Sequence, residues 1–111
     1  MKQGMNKSDK PLFTYSGAFL SDYLDGQLGR SPNTIDSYRG CMRILKDYIE
    51  ERTGKGFFRF SFHQADRDFF LDFLCWIEKR GSGKATRNQR LACLKTYARY
   101  VMDCEFELAA W

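Results

Sequence analysis

Apolar residues recur every three or four positions in four stretches of the chain, which is the spacing of amphipathic α-helices. The longest regular stripe follows Pro32 and consists of Ile35, Tyr38, Met42, Leu45 and Ile49. Pro32 suits the first position of a helix and Ser31 suits its N-cap, so a long second helix is predicted to begin there. It is predicted to end before Gly54.

Three further helices are predicted from similar signals. A short first helix is predicted over 16–28, with Gly29 as its C-terminal stop. The third is predicted over 66–79, with Asp66 as its N-cap, and the fourth over 84–103. The predicted core stripe of the fourth helix consists of Leu91, Leu94, Ala98 and Val101.

The remaining segments connect these helices. Residues 57–62 form an aromatic connector, in which Phe60 and Phe62 alternate with Arg59 and Ser61. This alternation predicts an extended stretch too short and isolated to form a sheet. Residues 1–15 begin with a polar run and are predicted to be a flexible lead. Four helices with short connections predict one all-α bundle over 16–103.

Composition agrees with a single folded domain and excludes several classes of protein. The 111 residues are 43% hydrophobic and 16% aromatic, unlike a disordered chain. No signal peptide opens the chain and no apolar run approaches membrane-spanning length, so we expect a soluble, cytoplasmic protein without a membrane partner. With His63 as the one histidine and no C-x-x-C pair, we expect no metal site and no cofactor. Cys41, Cys75 and Cys93 are expected to be buried free thiols in a reducing compartment.

The net charge of +4 is modest, but its placement is informative. From Lys84 to Arg99 the chain has five cations and no carboxylate. At 100° per residue, one face of this helix collects Lys84, Asn88, Lys95 and Arg99. Arg87 and Arg90 fall nearer the apolar side and are expected to brace neighbouring helices. The shared face is either an ordinary solvated surface or a surface that contacts phosphate.

The two long helices open with similar polar residues. Ser31, Asn33 and Thr34 stand at one opening, and Lys84 and Thr86 at the other. An offset of 52 residues aligns the two segments and pairs Thr34 with Thr86, Cys41 with Cys93 and Arg43 with Lys95. Helix N-termini expose unpaired N–H groups and a positive partial charge, which attract phosphate. The same residue types also serve as plain caps, so both interpretations stay open.

The second helix has cations of its own, but acids accompany them. Asp36, Asp47 and Glu50 lie close enough in sequence to pair with Arg39 and Arg43. Because Arg43 aligns with Lys95, it is the favoured phosphate contact of the two.

The order and spacing of these motifs resemble the N-terminal core-binding domain of phage-integrase-type tyrosine recombinases, a SAM-like four-helix module. The residues that carry the resemblance are Ser31, Asn33, Thr34, Ile35, Tyr38, Asp66, Phe69, Phe73, Thr86, Asn88, Leu91, Leu94 and Tyr97. The resemblance as a whole covers about 16–102, which is nearly the whole chain.

The resemblance implies a function in DNA recombination or integration, in a phage or another mobile element. The domain would grip double-stranded DNA at the core site as one jaw of a clamp. The other jaw would be the protein's own C-terminal catalytic domain, with 104–111 beginning the linker, and a homotetramer would assemble on the DNA. Family members cleave DNA with a tyrosine, two arginines, a lysine and a His-x-x-Arg motif. After His63, Asp66 stands where that motif has arginine, so the chain is expected to be non-catalytic.

No residue is therefore a catalytic candidate, and the candidate DNA contacts lie on two helices. They are Ser31, Asn33, Thr34, Arg39, Arg43, Lys84, Thr86, Arg87, Asn88, Lys95 and Arg99. Two alternatives are a helical protein-interaction module with a basic face and a helix-turn-helix-like regulator.

Overall fold

A computed structural model describes the backbone of residues 10–109 and the side chains of residues 10–105. Helix α1 consists of an α-helical turn, Ser16–Ala18, and a π-helix, Phe19–Gln27. Three α-helices follow: α2 (Pro32–Thr53), α3 (Arg67–Lys79) and α4 (Lys84–Ala109). The expected all-α bundle is confirmed, since the described residues pair only through one isolated bridge, between Pro11 and Ser61.

The predicted caps set the boundaries of α2 and α3. The Ser31 hydroxyl accepts the backbone N–H of Thr34 at 3.2 Å, and Gly54 ends α2 with a φ of 70°. The Asp66 carboxylate accepts the N–H of Phe69 at 2.9 Å. Helix α4 continues through Ala109, six residues beyond its predicted end at 103.

Helix α1 occupies the predicted segment but is mostly π-helical, which the sequence did not indicate. The Leu28 N–H donates to the Tyr23 carbonyl at 2.8 Å, five residues back. The wider turn suits the spacing of Phe19 and Leu24, which lie five residues apart and are both fully buried. Gly29, with a φ of 60°, ends the helix as predicted.

Residues 10–15 pack on the bundle, although the sequence places them in the lead. Leu12 is only 3% exposed, and its N–H donates to the Phe60 carbonyl at 2.7 Å. The Tyr97 hydroxyl donates to the Leu12 carbonyl at 2.6 Å. Glu105 binds both the Lys10 ammonium, at 3.0 Å, and the Tyr15 hydroxyl, and it raises the pKa of Lys10. The rest of the predicted lead, 1–9, lies outside the described residues.

The aromatic connector is not extended throughout, so that prediction is wrong for its first half. Phe57–Arg59 forms a 3-10 turn, and the Phe60 N–H closes it on the Phe57 carbonyl at 3.1 Å. The turn lets Phe57 pack edge-to-face on Phe13 at 5.5 Å, with the Lys46 ammonium 4.7 Å from the Phe57 ring.

The core contains Phe19 at its centre. The rings of Tyr23, Tyr38, Tyr97 and Tyr100 surround it, with centroids 5.1 to 6.1 Å away. These contacts join α1 to α2 and α4 through one aromatic cluster.

Two buried positions were predicted wrongly. Ala98 is exposed, because α4 buries the side that carries Cys93 and Tyr97, and α3 does not cover Ala98. Cys75 is exposed on α3, whereas Cys41 and Cys93 are buried as expected. Cys75 lies between Leu74 and Trp76, but its position around the helix faces solvent.

Helices α2 and α4 cross closely at the two buried cysteines. The Cys41 thiol donates to the Arg90 carbonyl at 3.8 Å, and the Cys93 thiol donates to the Tyr38 carbonyl at 4.0 Å. Each carbonyl belongs to the residue three positions before the facing cysteine, so the contact is reciprocal. The thiols also interact with each other, which lowers the pKa of Cys41 and raises that of Cys93.

Phe19→Ala should destabilise the chain by about 3–5 kcal/mol, because it removes the ring at the centre of the aromatic cluster. Phe58→Ala is the matched control, since Phe58 is 73% exposed, and should change stability by no more than about 0.5 kcal/mol. Urea denaturation followed by circular dichroism measures both. Equal midpoints for the two variants would show that Phe19 does not hold the core together.

Arg90→Ala should cost about 1–2 kcal/mol, because the Arg90 guanidinium donates to the Ser37 carbonyl at 3.4 Å and its stem packs at the α2–α4 crossing. Arg99→Ala removes the same side chain from an exposed position of the same helix, and should be nearly neutral. Thermal melts of the two variants provide the comparison. An Arg99 variant that melts as low as the Arg90 variant would contradict this assignment.

Candidate nucleic-acid interface

The exposed face of α4 carries cations without acidic partners. The residues predicted to share this face, Lys84, Asn88, Lys95 and Arg99, are all exposed, and they fall within about 60° of one another around the helix. Within residues 10–105, no carboxylate pairs with Lys84, Lys95 or Arg99. Their charge therefore stays available to a ligand outside the domain.

The other two cations of this segment point into the protein, as predicted. The Arg87 guanidinium pairs with the Glu78 carboxylate at 2.7 Å and so ties the start of α4 to the end of α3. Arg90 contacts the backbone of α2. Arg87 also reaches the Asn88 side-chain oxygen at 3.5 Å, so its link to the exposed face is at the limit of a hydrogen bond. As a DNA contact, Arg87 stays a prediction.

The polar residues at the N-terminus of α2 serve mainly to cap the helix. Ser31 accepts the Thr34 N–H and donates its own hydroxyl to the Thr34 hydroxyl at 3.1 Å, which confirms the cap. Asn33 is exposed in the first turn of α2, and Thr34 is half-buried. Thr86 is likewise half-buried in the first turn of α4. Contact of these residues with phosphate stays a prediction.

The cations of α2 have a mixed electrostatic environment. Arg39 pairs with Asp36 at 2.8 Å, so part of its charge is neutralised, as its sequence neighbours suggested. Arg43 is exposed and has no partner among the described carboxylates, although Asp47 and Glu50 are exposed on the same helix. The cationic field of α2 is consequently weaker than that of α4.

The crossing at Cys41 and Cys93 limits the distance between the N-termini of α2 and α4. Ser31 precedes the contact residue Ser37 by six positions, and Lys84 precedes Arg90 by six, which is about 9 Å along each helix axis. With an interaxial distance of about 8–10 Å, the openings lie no more than about 28 Å apart. Both therefore fit within one turn of duplex DNA, about 34 Å.

The buried Tyr97 is unsuited to nucleophilic attack, and no metal-binding group lies among the described residues. The Tyr97 hydroxyl is bound to the Leu12 carbonyl, and burial raises its pKa, so it is a structural residue and a poor nucleophile. Among the described residues, no group of three or more His, Cys, Asp or Glu side chains could hold a metal ion. Nor is any described helix both long and apolar enough to cross a membrane.

The apolar surface beside the cationic face was not predicted from the sequence. Lys95 borders a groove between α3 and α4, and Met102 continues the exposed side of α4 beyond Arg99. One signal was present, because Met102 lies seven positions after Lys95 and therefore on the same side of the helix.

Comparison with known proteins places these features in a family. The family described as "Phage integrase, N-terminal SAM-like domain" matches residues 19–104. The chain is 34% identical over 84 residues to y4rC of Sinorhizobium fredii, whose name describes it as an integrase/recombinase; the match covers 75% of this chain and 25% of that protein. A second such protein, y4rD, is 35% identical over 79 residues, or 70% of this chain and 28% of its own.

A third relative has a more specific name. The tyrosine recombinase XerC of Pelotomaculum thermopropionicum is 30% identical over 79 residues, covering 71% of this chain and 26% of XerC. The chain thus spans about a quarter of the length of the curated relatives it matches. A comparison with solved structures found no significant match.

The family match extends from the buried Phe19 of α1 to Cys104 in α4, and so includes both helix openings and the cationic face. The chain belongs to the family of phage integrase N-terminal SAM-like domains, and its relatives are named as integrases and tyrosine recombinases.

Proposed function

We propose that this domain grips duplex DNA at the core site of a site-specific tyrosine recombinase, with the exposed face of α4 against the phosphate backbone. The observation that supports this most directly is the separation of the five α4 cations. Arg87 and Arg90 are used inside the fold, whereas Lys84, Lys95 and Arg99 are exposed and unpaired by any described carboxylate.

The proposed interface combines two kinds of positive potential. Exposed lysine and arginine side chains neutralise phosphates and release condensed counterions, which provides affinity for any sequence. The free N–H groups in the first turns of α2 and α4 add a directional site for a phosphate oxygen. Asn33, Thr34 and Arg43 would serve this role on α2, and Thr86 on α4.

The residues that cleave and join DNA would lie in another part of the parent protein. In this proposal the domain is non-catalytic and acts as one jaw of a clamp, with the parent's C-terminal catalytic domain as the other, in a tetramer assembled on DNA. The buried, hydrogen-bonded Tyr97 and the absence of His-x-x-Arg after His63 support a non-catalytic role.

The alternative is a helical protein-interaction module whose basic face is incidental. It differs from the proposal in a measurable way, because it requires no duplex binding even at low salt. A helix-turn-helix-like regulator would bind duplex DNA too, but without recombinase partners.

The double variant Lys95→Ala/Arg99→Ala should weaken duplex binding similarly on all sequences. The slope of log affinity against log salt should become shallower by about 0.9 for each phosphate that is no longer neutralised, or nearly two in total. Labelled duplex titrated at about 50 mM and about 200 mM salt provides both quantities.

Lys55→Ala/Arg59→Ala is the matched control, because it removes the same charge from exposed positions beyond the C-terminal end of α2. It should leave the salt slope unchanged. Absence of duplex binding at low salt, or an equal decrease in affinity for the two double variants, would rule out the α4 face as the DNA contact.

Asn88→Ala should affect specificity more than general affinity. If the exposed Asn88 amide hydrogen-bonds a base edge, its removal costs about 1–3 kcal/mol on a preferred site and little on random DNA. The preferred site is first enriched from a random duplex library with the unmodified chain. Lys95→Ala serves as the comparison and should lower both affinities by a similar factor; an Asn88 variant that behaves in the same way would leave Asn88 without a base-reading role.

A further inference from the structure

An open apolar groove of about 630 Å³ lies between α3 and α4, next to the cationic face. Leu71 and Leu74 on α3 and Leu91, Ala98 and Met102 on α4 contribute to its walls. Met102 is 67% exposed and Leu71 is 40% exposed, so large apolar side chains face solvent at its mouth. Adjacent exposed apolar side chains of this kind mark interaction surfaces.

The two helices that form the groove are tied together at one end. Glu78 and Arg87 pair across the 80–83 turn, where α3 passes into α4. Farther along, Leu12 and Phe62 form part of the lining, and the small side chain of Ala98 fills little of the space. No described segment covers the mouth, where Leu71 and Met102 stay exposed.

The lining side chains whose charge has no described partner are both cations. Arg67 on α3 and Lys95 on α4 are exposed lining residues, and neither pairs with a carboxylate among the described residues. Glu105 also contributes to the lining, but it already binds Lys10 and Tyr15. An occupant with carboxylates beside an apolar surface would complement this rim.

We propose that the groove binds an amphipathic helix of another protein, one that presents leucine-like side chains to the groove and carboxylates to Arg67 and Lys95. The groove wall from Leu91 to Met102 spans eleven helical steps along α4, or about 16 Å, which accommodates anchors at positions i, i+4, i+7 and i+11 of a docked helix. A docked strand is disfavoured, because the described residues offer no sheet edge for it to join.

A second copy of the chain does not fit this description. The exposed acids of α2, Asp36, Asp47 and Glu50, stand beside Arg39 and Arg43 and have no exposed large apolar residue next to them. Those of α1, Asp22 and Asp25, adjoin Leu28 alone, and those of α3, Asp68 and Asp72, adjoin Leu71 of the groove itself. Two grooves facing each other would bring Arg67 and Lys95 against the same cations of the other copy. The occupant is therefore expected to be a different, acidic polypeptide.

The test uses the 111-residue chain and two labelled helical peptides of about four turns. Both carry leucine at the four anchor positions; one has glutamates on the flanking positions and the other has lysines there. The glutamate peptide should bind, and the lysine peptide should bind at least about fivefold more weakly, with the difference decreasing at high salt. Fluorescence anisotropy measures both affinities.

Leu71→Glu and Met102→Glu should each weaken binding of the glutamate peptide at least about tenfold, because they place a carboxylate in the apolar mouth. Phe58→Glu is the matched control: Phe58 is 73% exposed but does not line the groove, so this variant should bind normally. Circular dichroism establishes that all three variants are folded. Leu71→Glu should also retain duplex DNA binding, since it leaves the cations of α4 in place, and this separates the groove from the DNA interface.

Three results would overturn the proposal. The first is no binding of the glutamate peptide at about 1 mM, which is weaker than a specific helix-in-groove interaction requires. The second is equal binding of the two peptides, or an equal decrease in affinity for the Phe58→Glu control. The third is self-association of the unmodified chain in sedimentation that Met102→Glu abolishes, because a second copy would then be the occupant.

Discussion

The close crossing of α2 and α4 is the interaction on which the rest of the domain depends. Buried Cys41 and Cys93 face each other's helix backbone, and Arg90 adds a hydrogen bond of 3.4 Å across the same crossing. Small side chains at such a point let two helices approach closely. This close approach limits the distance between the N-termini of α2 and α4. A duplex can therefore contact both N-termini within one turn of the DNA.

Contacts with the neighbouring helices α2 and α3 determine which cations of α4 stay available to a ligand. A cation that reaches a neighbouring helix stabilises the fold and is partly neutralised, as Arg87 is by Glu78. One that stays exposed retains its charge for a ligand. The helix thus supports the fold on one side and presents Lys84, Lys95 and Arg99 on the other, while the groove beside Lys95 offers a second, apolar surface.

Much of the fold could be predicted because local chemistry determines it. Caps at Ser31 and Asp66 and the stop at Gly54 need only backbone N–H groups and a glycine with positive φ, and all three are confirmed. Helical geometry also predicted that Arg87 contacts a neighbouring helix, whereas the cations on the exposed face of α4 do not.

Features that depend on tertiary packing could not be predicted. The π-helix at Phe19, the 3-10 turn at Phe57 and the burial of Leu12 result from contacts with residues distant in sequence. Ala98 and Cys75 lie beside apolar residues but face solvent, because periodicity does not show which sides of a helix have a neighbour. For the same reason the sequence pattern does not show that α3 and α4 leave a groove between them.

The central claim is that the domain meets duplex DNA through α4 and the opening of α2, and backbone amide NMR tests it most directly. A titration of the ¹⁵N-labelled chain with a short duplex at low salt would report which amides shift. The account predicts shifts concentrated at 31–34 and along the exposed side of 84–99, with the connector at 57–62 unaffected. Shifts confined to α3 or to the connector, or none at saturating duplex, would contradict it.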